Sequence, residues 1–149
     1  MGTLSVVATP IGNLEDITLR ALRVLKEADM IACEDTRVSK KLLAHYDIYT
    51  PTISYHAHSG DIKVEKILAL LKEGKHIALI SDAGTPGVSD PGSILVLRAY
   101  EAGVRVKAVP GASALTTALS VAGIPLSSFI FLGFLPQKKG RQTILKDIA

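Results

Sequence analysis

The sequence predicts an α/β fold: a five-stranded, mostly parallel, doubly wound sheet followed by the start of a second α/β domain. Three observations lead there. Short apolar runs of strand length recur along the chain, each followed by a segment whose apolar residues repeat at helical spacing. Four of the five runs are apolar at consecutive positions, as strands covered on both faces must be. Each run also stops at a polar or Gly/Pro-rich loop before its helix begins, the rhythm of a parallel sheet with right-handed crossovers.

Residues 4–8 form the first strand, and the turn 9–13 leads to a helix over about 18–28 with Leu19, Leu22 and Leu25 inward. Residues 30–33 are the second strand, followed by a helix with Val38, Leu42 and Leu43 on one face. The third strand, 52–55, is less apolar. Its helix carries the stripe Ile62, Ile67, Leu68, Leu70 and Leu71 and ends at Gly74. The fourth strand, 76–80, runs into the loop 81–92, after which Asp90 is the N-cap and Pro91 the first residue of a helix whose stripe is Ile94, Leu95, Leu97 and Ala99. The fifth strand, 104–109, leads through Pro110 to a small-residue helix over 114–122 closed by Gly123.

Residues 1–125 therefore read as one α/β domain. After Pro125 the rhythm changes: 129–132 reads as a strand, 133–140 as a connector and 143–148 as a helical pattern, the incomplete start of a second domain in a chain that reads as cut at Ala149.

Composition narrows the function classes. With 149 residues and 48% hydrophobic content the chain can bury one substantial core. No window holds the roughly 18 apolar residues that span a bilayer. The N-terminus lacks a signal core, and Val6 stands where a myristoylation signal needs Ser or Thr, so a cytoplasmic location is expected. The single cysteine, Cys33, excludes an internal disulfide and a cysteine metal site and reads as a small buried hydrophobe. A net charge of +3 permits an anionic partner without arguing for one.

Every notable loop falls at the carboxyl end of a predicted strand, where open parallel sheets bind small ligands. The first loop is no dinucleotide fingerprint, because Gly12 stands alone, and no Gly-Lys-Ser/Thr phosphate cradle exists. The loop 81–92 has Gly or Pro at 84, 86, 87, 91 and 92, which lets backbone amides and carbonyls approach a flat ligand. Asp82 can accept a hydrogen bond from a ribose or an amine, or be a solvated loop residue. Glu34, Asp35, Thr36 and Arg37 suit substrate positioning or general-base work, and equally a helix cap with a surface ion pair. His56 and His58 share a side if the chain there is extended; with no third ligand, loop histidines are favoured over a metal site, and no metal is expected.

The segments 7–18, 33–37, 81–92, 110–114 and 133–136, in this order and spanning nearly the whole chain, resemble the tetrapyrrole methylase superfamily, and within it the branch that modifies small-subunit ribosomal RNA. The resemblance implies a two-domain, homodimeric, cytoplasmic α/β enzyme. It implies methyl transfer from S-adenosylmethionine to the ribose 2′-hydroxyl of a cytidine in 16S rRNA. It places the cofactor against Pro10, Gly12, Asn13 and Leu14, against Asp82, Ala83, Gly84, Thr85, Pro86, Gly87 and Val88, against Ala112, Ser113 and Ala114, and near Leu135. Thr36 and Arg37 face the acceptor, and Lys138, Lys139 and Arg141 meet RNA phosphates. The proton of the attacking hydroxyl needs a base, for which Asp35 ranks first, then Glu34 and His56. The sequence departs from the family in two ways: two full domains need roughly twice this length, and His58 is followed by Ser59 where the pattern has Asn. A methylase of small tetrapyrroles and an inactive binding domain are the alternatives.

Overall fold

A computed structural model describes residues 1–56, 60–137 and 139–148. Within them five strands form one all-parallel sheet: β1 (Thr3–Val7), β2 (Met30–Cys33), β3 (Thr52–Ser54), β4 (His76–Ile80) and β5 (Arg105–Val109), in the spatial order β3-β2-β4-β1-β5. Helices α1 (Leu19–Glu27), α2 (Thr36–His45), α3 (Gly60–Lys72), α4 (Gly92–Glu101) and α5 (Ala114–Ser120) follow the strands in turn, and α6 (Arg141–Ile148) comes last. No helix among the described residues is long and apolar enough to cross a membrane.

Alternation along the strands divides the core in two. Leu4, Ala32, Ile77 and Leu79 face one side, where Ile67, Leu68 and Leu71 of α3 and Leu95 and Ala99 of α4 cover them. Val7, Ile31, Cys33, Ala78 and Ile80 face the other, beneath Ala21, Val24 and Leu25 of α1 and Leu43 of α2. The sheet is doubly wound, as the consecutive apolar runs predict. Cys33 is fully buried, and burial pushes its thiol above the usual range, so it packs as a hydrophobe.

The ends of the elements have identifiable causes. Thr18 Oγ1 accepts from the Ala21 N–H and starts α1. Gly74, at φ 93°, closes the turn after α3. At the amino edge, the Asp29 carboxylate accepts from the His76 N–H at 2.7 Å and from Lys75 Nζ at 3.3 Å, tying the start of β2 to β4. A Cβ on Gly2 would lie 1.9 Å from the Lys75 carbonyl oxygen, so only glycine fits there.

Four expectations are corrected. Leu19, Val38, Ile62, Ile94 and Leu97 are exposed, because the buried stripes take in Ala21 and Val24, Ser39, and Val64 instead, and in α4 narrow to the expected Leu95 and Ala99. Asp90 does not cap α4 from the N-cap position, which Pro91 occupies; from one residue before the N-cap its carboxylate accepts from the N–H of Gly92, the first residue of the helix, at 2.7 Å. The fifth strand is not covered on both faces: β5 is an edge, and Arg105, Lys107 and Ala108 are exposed. Residues 129–132 form no strand, since an extended segment becomes one only by pairing and no described strand lies beside it. No residue described after Val109 is buried, and Phe129, Phe131 and Phe134 are all at least half exposed.

Candidate active site

Parallel pairing brings the carboxyl ends of all five strands to one edge, and hydrogen bonds tie the loops there to one another. The Thr9 N–H donates to the Gly84 carbonyl at 2.9 Å and the Gly84 N–H to the Thr9 carbonyl at 3.1 Å, joining the ends of β1 and β4 in a short antiparallel bridge. The buried Thr9 hydroxyl also donates to the Ser81 carbonyl at 3.2 Å. The Asp35 N–H donates to Asp82 Oδ1 at 3.1 Å, which adds the end of β2. The Thr85 hydroxyl reaches the Ala112 carbonyl at 3.5 Å, which adds the end of β5. The first loop is anchored further out, where the Tyr46 hydroxyl donates to the Leu14 carbonyl at 2.6 Å and Asn13 caps a 3₁₀ turn over Leu14–Asp16.

The loop 81–92 is shaped by one carboxylate. Asp90 accepts from the Gly87 N–H through both oxygens at 2.8 Å and from the Gly92 N–H at 2.7 Å. Gly84 and Gly87 sit at φ 78° and 87°, and a Cβ on Gly92 would come within 2.8 Å of Asp90 Oδ1. Glycines here are required by conformation and by close approach.

This loop separates two cavities of different chemistry. On the β2–β3 side lies a polar one of about 430 Å³, lined by Glu34, Asp35, Thr36, Ser54, His56 and Asp82. On the β1–β5 side lies one of about 730 Å³, walled by Ala83, Gly84 and Thr85 and by Ser113 and Ala114. Its apolar surface comes from Ile11, Val88, Leu115, Phe131 and Phe134.

The two adjacent carboxylates of the polar cavity differ in state. Asp35 is the N-cap of α2: Oδ1 accepts from the Arg37 N–H at 2.8 Å, while Oδ2 pairs with Arg37 Nη2 at 2.6 Å. The Arg37 side chain, followed by its backbone N–H, holds the Asp35 carboxyl down at about 2. Glu34 is pushed the other way, above the usual carboxylate range, first by burial and then by the charges of Asp82 and Asp90, with the Asp82 backbone N–H and, less, the His56 imidazole opposing. Lys63 Nζ donates to Ser54 Oγ at 2.7 Å at the cavity margin.

A family model described as Tetrapyrrole (Corrin/Porphyrin) Methylases matches residues 3–148. The chain belongs to the tetrapyrrole methylase family. Among curated relatives it is 55% identical over 147 residues to the ribosomal RNA small subunit methyltransferase I of Halalkalibacterium halodurans, covering 98% of this chain and 51% of that protein. It is 51% identical over 148 residues to the protein of the same name from Thermotoga maritima, covering 99% of this chain and 67% of that one. The chain thus spans about half to two thirds of the length of these relatives. Among solved structures, a uroporphyrin-III-C-methyltransferase from Thermus thermophilus superimposes with a TM-score of 0.64 at 28% identity, over 86% of this chain and 55% of that one. This tetrapyrrole methylase chain therefore shares both the sequence pattern and the wound sheet of the family.

Of the residues that the family resemblance places against a cofactor, Ala83, Gly84, Thr85, Val88, Ser113 and Ala114 line the apolar cavity. Asp82 lines the polar one with Glu34, Asp35, Thr36 and His56. Gly12, Asn13 and Leu14 are exposed on the first loop, Pro10 and Pro86 are buried, and Gly87 is exposed and held by Asp90. The Ala112 carbonyl receives Thr85, while Leu135 is half-buried outside both linings. Arg37 is exposed beside Asp35, and Lys139 and Arg141 are exposed before and at the start of α6. Lys138 and His58, with Ala57 and Ser59, lie outside the described residues. Sequence reasoning missed Ser54, Ile11, Ser89, Leu115, Phe131 and Phe134. Phe134 follows Gly133 in the segment 133–136, a signal that could have placed it, whereas Phe131 lies in the run 129–132 that was read as a strand.

Proposed function

We propose that the chain is the donor-binding part of an S-adenosylmethionine-dependent methyltransferase, and that the whole protein methylates the ribose 2′-hydroxyl of a cytidine in the 16S rRNA of the small ribosomal subunit. The observation that carries this reading is the pairing of a neutral, backbone-walled cavity with an acidic one across a single loop. The names of the relatives supply the substrate class.

The larger cavity fits the cofactor. Its volume is in the range of small-ligand sites, and its described lining brings backbone at Gly84 and Ser113 together with apolar side chains and no cation, suited to a flat base and a positively charged sulfonium. When bound there, the cofactor would supply an activated methyl group. In the same proposal the first loop around Pro10 to Leu14, Asp82, Pro86, Gly87, Ala112 and Leu135 complete the cofactor side of the cleft.

Methyl transfer is an in-line displacement, so the work of the protein is to hold acceptor and donor in line across the loop 81–92. Thr36 and Arg37 position the acceptor. The hydroxyl proton needs a base, and here Glu34 displaces Asp35 from first place. A carboxylate near 2 that is committed to Arg37 is a weak base, whereas one raised toward the working range accepts a proton more readily. His56, in the same cavity, is the alternative acceptor. Lys138, Lys139 and Arg141 are offered to RNA phosphates. Residues 126–149 begin a second domain, and the protein acts as a cytoplasmic homodimer.

The test uses the complete protein, labelled S-adenosylmethionine and undermethylated small subunits. Label is expected in 16S rRNA at a linkage that resists alkaline hydrolysis, because a methylated 2′-oxygen can no longer attack its phosphodiester; absence of label rejects the substrate. Calorimetric titration of the 149-residue chain with S-adenosylhomocysteine addresses the donor cavity separately, with micromolar binding expected.

A further inference from the structure

A third cavity, of about 290 Å³, lies away from the two at the loop edge, in the cleft between α1 and β5. Its floor is Thr3 and Ser5 of β1 with His76 of β4. Ser5 is 2% exposed, and its hydroxyl is 2.8 Å from His76 Nε2, so the floor is polar where a sheet face is ordinarily apolar. Arg20 and Arg23 of α1 form one wall and Lys107 of β5 the other. Ser5 and Lys107 are paired in register, and Arg105, opposite Thr3, continues the exposed cationic row along the edge strand.

Charge balance in the cleft is one-sided. Glu27 is the one carboxylate in the described lining, and Arg23 Nη1 holds it at 3.2 Å. Arg20 Nη2 donates to the Ala108 carbonyl at 3.1 Å, which ties that guanidinium to the edge strand and leaves it further N–H donors. Lys107 has no ion pair or hydrogen bond among the described residues. A lysine without a partner among the described residues and an arginine tied to the edge strand leave the lining with positive charge to offer an anion.

We propose that this α1–β5 cleft binds the phosphate backbone of RNA, as a docking point separate from the catalytic edge. The cations line two walls of a furrow rather than converging on a point, the geometry for a polyanion that passes through. Exposed cations of this kind position a nucleic acid without reading its bases. The furrow also runs toward the right place. Val109 closes its lining and directly precedes the loop 110–113 at the catalytic edge, and Lys107 lies two residues back, about 7 Å along the strand. An RNA whose target nucleotide enters the polar cavity can thus lay neighbouring phosphates along α1. The inference rests on the reading of rRNA as substrate.

The experiment is fluorescence anisotropy of the 149-residue chain with a labelled single-stranded RNA of about 12 nucleotides, a length one protein face covers, across a salt series. Lys107→Gln and Arg23→Gln are each expected to weaken binding about three- to tenfold and to lower the slope of log affinity against log salt by about 0.7. Lys66→Gln, on α3 across the sheet, is expected to leave both unchanged. Unaltered affinity and slope in both cleft variants, with circular dichroism unchanged, overturn the proposal. So does displacement of RNA by millimolar inorganic phosphate at constant ionic strength, which marks a small-anion pocket. If the chain binds S-adenosylhomocysteine but no RNA, the cleft proposal fails and the donor reading stands. If RNA binds through the cleft while the complete protein labels no rRNA, the cleft is supported and the substrate reading alone fails.

Discussion

Glu34 and Asp35 are neighbours on the chain whose environments drive them apart, and such divergence separates acid–base roles. A carboxyl with a raised pKa in the folded state binds its proton more tightly folded than unfolded, so its stabilising contribution is present at low pH. That contribution is lost as pH climbs through the raised value. Glu34→Gln is therefore expected to raise the melting temperature at pH 7, by no more than a few degrees, with no gain near pH 4. The same variant is expected to lower turnover by about 10²-fold or more and to remove the acid limb of the pH–rate profile; a retained limb would move the base to His56. Asp35 has the opposite sign. Its stabilisation by Arg37 is complete above its ordinary value of 3.8 and lost as pH falls toward about 2. Asp35→Asn keeps a side chain able to cap α2 while losing the ion pair, so the acid-unfolding curve should become shallower between those values.

At the scale of elements, the two sheet faces carry the stability. Leu25 and Ile67 are fully buried on opposite faces, and replacing either with alanine is expected to cost about 2–5 kcal/mol in denaturant unfolding. Gly2→Ala is expected to destabilise as well, by about 1–3 kcal/mol, because the new methyl group meets backbone rather than a movable side chain. The strands β2 and β4 were legible to the residue, since four consecutive apolar residues between polar or turn residues fit little else in so short a span. Helix phase was less legible. Leu19, Ile94 and Leu97 are apolar but lie outside the packed stripe, because apolar content alone does not say which way a helix is rotated. The segment 129–132 misled for a related reason: its residues favour pairing, but a strand is a property of two segments. For the site, a parallel sheet guarantees that its loops meet at one edge, so the gathering of 81–92 with 9–13 and 110–113 was readable. The division of the loop 81–92 into two walls was not, because it depends on the Thr9–Gly84 bridge, which leaves no mark in residue types.

Across the whole molecule, polar chemistry gathers at the loop edge between β2 and β3, apolar surface between β1 and the residues after Val109, and positive charge on the α1–β5 flank. The organising part is the loop 81–92, held by Asp90. Asp90→Ala is expected to cost about 1–3 kcal/mol by leaving the Gly87 and Gly92 amides unpaired. It should also weaken S-adenosylhomocysteine binding more than RNA binding, a comparison that anisotropy and calorimetry provide together. A lip whose second half is tied from Gly87 to Gly92 by one side chain has little ordering left to do when a guest enters. Differences among related guests should then appear in how long each stays rather than in how fast each arrives, and stopped-flow traces at this lip would show nearly constant entry rates beside widely spread exit rates.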